Sequence, residues 1–208
     1  MCEPYVNGNA TAACGVAALM RVKLVRQEVL RLRIVVVAAH AMPLRLHPLP
    51  NVCLEPLSAH DAGLLLARAL TLQRFDQAGQ RQQLLRGKNL GLLCESEENE
   101  EAERFRRAAT DLGAHVAHVR PHLSAASSRS DIADTGRMLG RLYDGIECLG
   151  LEATVVKRLA AAANVPVYDG IASRNHPTAK LAEQLAAEQS LDESHRFMVQ
   201  AVLLSTLN

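Results

Sequence analysis

The sequence predicts an α/β fold: a parallel sheet of about four strands with helices on both faces. Three features of the 208 residues point there. Short unbroken apolar runs such as Leu90-Gly-Leu-Leu-Cys94 alternate with longer stretches of helical character, and runs of that kind suit strands buried on both faces. Aromatic residues make up only 3% and Trp is absent, so the core must come from Leu, Val, Ile and Ala. Hydrophobic residues still reach 49%, enough for a real core.

The elements follow in order. Ser58 is a plausible helix N-cap, and Leu64, Leu65, Leu66, Leu70 and Leu72 predict an apolar stripe on a helix ending near Gly79. Leu90 to Cys94 is the first strand. The acidic segment Glu95 to Glu103 merges into a helix stopped by Gly113, and Ala114 to Val119 is the second strand. After a serine-rich loop from Pro121, Asp131 to Leu142 reads as a helix, Gly145 to Leu149 as a strand and Glu152 to Ala163 as a helix. Val165 to Tyr168 is a further strand. Asn175-His-Pro-Thr opens a helix running to about Gln189, with Pro177 near its first position, where a missing amide costs nothing.

Composition excludes several classes of function. The net charge of +1, from 23 basic and 22 acidic residues, gives no reason to expect nucleic acid or an anionic membrane as partner. Five cysteines without a CxxC pair read as free thiols in a reducing compartment, and a cytoplasmic location is expected. No run reaches the roughly 18 to 20 apolar residues of a membrane span. No Walker or dinucleotide glycine signature is present. Residues 1–41 are set apart as an extension or a mis-assigned start without a packed structure of its own; 42–190 form the domain and 191–208 a closing helix.

Several segments together carry a resemblance. They are Gly87-Lys88-Asn89, Asp111 to Val116, Asp131 to Ile146 (DIADTGRMLGRLYDGI), Val165 to Gly170 (VPVYDG) and His176-Pro-Thr. In order and spacing this stretch, roughly Ser58 to Leu185, resembles the amino-terminal, carbamoyl-phosphate-binding domain of the ornithine/aspartate carbamoyltransferases, the ornithine enzymes more than the aspartate ones. Ser194 to Leu207 resembles the family's final helix, which in complete enzymes returns to pack on the first domain. The resemblance therefore implies a carbamoyltransferase-like domain with a returning helix and with the second, amino-acid-binding domain missing. It also implies a homotrimer, or a mixed assembly with a full-length carbamoyltransferase.

At the site, the resemblance implies loss. Family members hold phosphate with a Ser-Thr-Arg-Thr-Arg loop at a helix start, where backbone amides, the dipole and two arginines meet the dianion. The matching positions here are Glu98, Asn99, Glu100, Glu101 and Ala102. At contact distance each carboxylate repels phosphate by about 1 to 4 kcal/mol, depending on the local dielectric. The family's arginine after the third strand falls at Leu149, and its His-Pro-x-Gln glutamine at Ala179. Only His176 is retained; its family role is to polarise the carbamoyl carbonyl.

Each signal has a plainer reading. Glu95 to Glu103 suits a solvated helix start, where carboxylates complement the dipole, as well as an acidic recognition surface. His176 beside Pro177 reads as a structural cap before a polariser. His115, His118 and His122 invite zinc, but strand alternation sends the first two to opposite faces, so no metal is expected. Cys94 and Cys148 read as small buried thiols. The expectation is a catalytically degenerate carbamoyltransferase-like protein without a cofactor, acting through oligomerisation or partner binding. The alternative is residual binding of carbamoyl phosphate or an amino acid, in arginine/ornithine metabolism; a small-molecule ligand of another kind, a cation above all, would suit the acidic loop.

Overall fold

The computed structural model describes residues 57–96, 98–186 and 190–207. The segment 1–41, set apart above, lies outside the described residues. The elements run α1 (Ala59–Gln77), β1 (Asn89–Leu93), α2 (Glu100–Asp111), β2 (His115–Val119), α3 (Arg129–Leu142), β3 (Gly145–Cys148), α4 (Ala153–Ala163), β4 (Val167–Asp169), α5 (Pro177–Leu185) and α6 (Leu191–Thr206). The four strands form one parallel sheet in the order β2-β1-β3-β4. That is the α/β architecture the alternation predicts.

Boundaries shift where local chemistry overrides pattern. The helix predicted from Asp131 starts at Arg129, because the Ser128 hydroxyl accepts the Asp131 amide at 3.1 Å. The last strand begins only at Val167. Pro166 has no amide to donate, although its carbonyl still accepts from Ile146 at 2.9 Å. In α1 the buried face is Leu65, Ala69 and Gln73, while Leu64 and Leu70 of the predicted stripe point outward. The small Ala69 lets α1 lie close against α6, which a stripe of leucines alone does not reveal.

The core has two halves, one on each face of the sheet. Leu90, Leu92 and Tyr168 face α1, α2, α5 and α6. Leu93, Ile146, Cys148 and Val167 face α3 and α4. Period-two alternation along each strand produces this division. α6 is buried around its whole circumference from Ser194 to Ser205, and it packs on α1, α2 and α5. A helix so enclosed must satisfy its own polar groups. The guanidinium of Arg196, 3% exposed, pairs with Asp111 and with Glu193 (Nε–Oε2 3.0 Å, Nη2–Oε2 2.6 Å), with Asp76 at 3.5 Å.

On the opposite face α3 and α4 approach through glycine. A Cβ on Gly140 would lie 1.7 Å from the Ala163 carbonyl oxygen, and one on Gly136 would lie 2.8 Å from that of Leu159. Backbone cannot yield to such an overlap as a side chain can. Gly140→Ala is expected to cost at least the ~1–3 kcal/mol typical of overpacking, seen as a lower urea midpoint at unchanged slope.

Candidate functional site

In an open parallel sheet the crevice forms beyond the carboxyl ends of the strands, where connections leave in opposite directions. Here that point lies between β1, whose chain continues outward to β2, and β3. A cavity of about 270 Å³ opens there, lined by Glu101, Cys148, Leu149, Asp169, Ser173 and His176, with Gly150, Gly170, Asn175 and Pro177 completing its wall. A second cavity, about 460 Å³, lies on the far side of the α2 start.

The five residues expected to form a loop at the start of α2 do not line a single cavity. Asn99 is the N-cap of α2, its side-chain oxygen accepting the Glu101 amide at 2.9 Å. Glu98, Asn99 and Glu100 line the larger cavity, Glu101 lines the smaller, and Ala102 is buried in the core. Glu100 meets Arg174 at 3.3 Å, and both are mostly exposed. Leu149 reaches the smaller cavity as an apolar side chain. Ala179 sits half-buried in α5, outside the lining of either cavity.

His176 lines the smaller cavity and also caps α5. Its Nδ1 accepts the Thr178 amide at 3.3 Å and lies 2.9 Å from the Thr178 hydroxyl. That hydroxyl donates to the Ile171 carbonyl at 2.8 Å and stands 3.3 Å from Nε2 of the buried His195. Burial, followed by the neighbouring His195, lowers His176 to about 4. Burial, followed by Arg104, lowers His195 to about 4 as well. Both rings are neutral at pH 7, and the cap occupies Nδ1 of His176.

Other groups are not evident from the sequence motifs. Glu147, on the central strand β3, is fully buried. Its Oε1 accepts the Ala172 amide at 3.4 Å, and the Ile171 amide also bears on the carboxyl. Burial pushes this carboxyl well above the usual range, and Asp169 and Glu101 add to the shift. Burial likewise raises Asp169, against the field of Lys157. The Cys148 thiol is pushed up by burial, so it is no thiolate nucleophile at neutral pH. The signal for Glu147 was a lone charge inside the apolar run Gly145 to Leu149.

Around the larger cavity, Arg104 donates to the Ala172 carbonyl at 2.8 Å and to Asp192 at 3.0 Å. Arg107 meets Glu193 at 2.8 Å. These pairs fasten the start of α6 to α2 and to the loop after β4. Nε2 of His118 lies 2.8 Å from the Cys94 carbonyl, and no group of three metal-binding side chains occurs among the described residues. Among those residues, no helix is long and apolar enough to cross a membrane.

Fold and crevice together define a parallel α/β domain with a crevice at the carboxyl ends of its strands. Residues 52–189 match the family described as aspartate/ornithine carbamoyltransferase, carbamoyl-P binding domain, and the chain belongs to that family. Ornithine carbamoyltransferase of Haemophilus influenzae (strain PittGG) is 39% identical over 129 residues, which are 62% of this chain and 39% of that protein. Its counterpart in Cutibacterium acnes is 37% identical over 136 residues, 65% of this chain and 41% of that one. The solved ornithine carbamoyltransferase from Pyrococcus furiosus superposes with a TM-score of 0.55 at 28% identity, covering 64% of this chain and 42% of that one. The chain thus spans about two-fifths of the length of the curated relatives it matches.

Glu147 supplies a pH test. Its folded-state pKa is raised, so its contribution to stability is complete below the unfolded value near 4.5 and declines as pH rises towards the folded value. The two histidines act in the opposite sense: their contribution is complete above about 6.5 and is lost as pH falls towards about 4. Glu147→Gln is expected to stabilise the protein at pH 7 to 8 and flatten the alkaline decline, leaving the acid limb unchanged. Urea unfolding at a series of pH values measures both limbs.

Proposed function

We propose that this protein is a carbamoyltransferase-family domain that has given up carbamoyl transfer and works through assembly or partner binding. The observation that carries the reading is the charge of the crevice. Among the described residues its lining holds the carboxylates Glu101 and Asp169 and no lysine or arginine. A phosphate dianion there would meet repulsion of about 1 to 4 kcal/mol from each carboxylate.

The helix ends offer little in return. An N-terminus attracts anions through free amides. At α2 the Glu101 amide is taken by Asn99, and at α5 the first residue is Pro177, with the Thr178 amide taken by His176. At each end a side chain of the chain itself already takes one of those amides. The chain also passes from α5 to α6 through residues 186–190 alone, with no amino-acid-binding domain between them.

A second reading, residual binding of carbamoyl phosphate or an amino acid within arginine/ornithine metabolism, draws support from His176, which still lines the crevice. Calorimetric titration of carbamoyl phosphate into the cold protein separates the two. The expected result is no saturable heat below about 1 mM, equivalent to roughly 4 kcal/mol; saturable binding would favour the second reading.

For assembly, support comes from Met138 and Leu142, one turn apart on α3 and 53% and 59% exposed. A homotrimer, or a mixed assembly with a full-length carbamoyltransferase, would cover them. Light scattering after size exclusion is expected to give a mass above that of one 22.6 kDa chain, reduced by Met138→Glu and Leu142→Glu together. A wild-type protein that stays monomeric, and captures no carbamoyltransferase, would count against assembly.

A further inference from the structure

We infer that two copies of this chain pair through the outer face of α3, lying antiparallel about a two-fold axis near Met138. The inference rests on the assembly proposed above, and it names both the occupant of that surface and its orientation. The inner side of α3 is fixed. Ile132, Gly136 and Leu139 are buried, and Gly136 and Gly140 come so close to α4 that a Cβ on either would overlap a carbonyl oxygen. The helix therefore cannot roll to hide its other side. That side carries Asp131, Asp134, Thr135, Met138, Arg141 and Leu142, of which Met138 is 53% and Leu142 59% exposed.

The spacing is that of a helix seam. Asp131, Thr135, Met138 and Leu142 follow intervals of four, three and four, which keep to one line along a helix and match the a and d positions of a heptad. Thr135 brings no unmet donor to that line, since its hydroxyl bonds the Asp131 carbonyl at 2.8 Å. Asp134 and Arg141 flank the line on one side, seven residues or about 10 Å apart along the axis. Their midpoint falls beside Met138. A second copy running the opposite way across that point sets Asp134 of each copy opposite Arg141 of the other. One contact thus gives two ion pairs, with Met138 against Met138 between them and Leu142 over Thr135. A parallel arrangement would set Asp134 level with Asp134 and Arg141 level with Arg141. Charges beside such a seam select the orientation.

Neither charge is committed to a buried partner. Asp134 meets Arg137 of its own helix in an exposed pair, which leaves the carboxylate open to a second cation. Arg141 stands exposed in the last turn of α3. A contact of this kind is self-complementary and closes at two copies, whereas a three-fold ring joins two different surfaces. One helix pair is a small contact, so the expected dimer is weak and depends on concentration.

The test uses the full chain in sedimentation equilibrium from about 10 μM to about 1 mM, joined to disulfide trapping. The expected result is a reversible monomer–dimer equilibrium. Asp134→Arg and Arg141→Asp should each weaken it at least about fivefold, by setting like charges opposite, and the two together should restore it. Met138→Cys lies beside the axis, so mild oxidation with diamide should link two copies into a species of twice 22.6 kDa. The yield is compared with that of the unsubstituted chain, which carries five cysteines of its own. All three positions are exposed, so the variants should keep their fold, verified by unchanged urea midpoints. Failure of either the charge swap or the Met138→Cys link overturns the antiparallel pairing, and a multimeric mass that survives it leaves assembly standing. A chain that stays monomeric at every concentration also overturns the pairing, and leaves capture of a full-length carbamoyltransferase as the remaining form of assembly.

Discussion

The structure depends on the enclosure of α6. Twelve consecutive residues, Ser194 to Ser205, are buried, and the helix forms the centre of the half-core that also holds α1, α2 and α5. Without it, Leu65, Phe105 and Leu185 would lose a common neighbour on one face of the sheet. Enclosing a guanidinium is unfavourable unless it is paired and fully hydrogen-bonded. Arg196 meets that demand with three carboxylates from three segments: Asp76 after the α1 midpoint, Asp111 at the end of α2 and Glu193 on its own helix. The partners are about a quarter exposed, so water screens part of the interaction. Their main effect is to fix how the helices sit rather than to add much stability.

The same helix positions the crevice. Asp192, in the first turn of α6, reaches Arg104, and Arg104 in turn holds the Ala172 carbonyl. Ala172 also gives its amide to Glu147. The loop carrying Ser173 and His176 is therefore held between a buried arginine and a buried carboxyl, one from each side. Thr178 closes it from below by donating to the Ile171 carbonyl. A cavity wall held at both carbonyl and amide is already ordered, so little further ordering would be needed there on binding.

The strands were legible because each is a short apolar run, and burial on both faces leaves that signature in sequence. Helix starts were legible at Ser58, where a cap residue stands alone, and less so at Ser128, where neighbouring serines compete for the role. The site was legible only in part. Resemblance led to His176 and to positions 98–102, yet spacing along a chain does not say which side chains turn inward at a helix start. One of those five reaches the small cavity and three reach the other. Glu147 and Asp169 escaped notice because each follows residues that read as strand, and a carboxyl inside a strand has no motif. Arg104 escaped because its partner Asp192 is 88 positions away.

His176 illustrates why a retained residue is weak evidence for retained chemistry. Its Nδ1 satisfies the first free amide of α5, a service worth about 0.5 to 2 kcal/mol at a helix start whatever the crevice binds. Thr178 links it to His195 of the enclosed helix, so the ring is also part of the packing between α5 and α6. Both services hold the ring in place whatever the crevice binds. Glu101, Leu149 and Asp169 bear on the crevice without capping a helix. Their character is therefore the better guide to what the crevice can hold: two carboxylates and one aliphatic side chain, each carboxylate repelling an anion at contact distance.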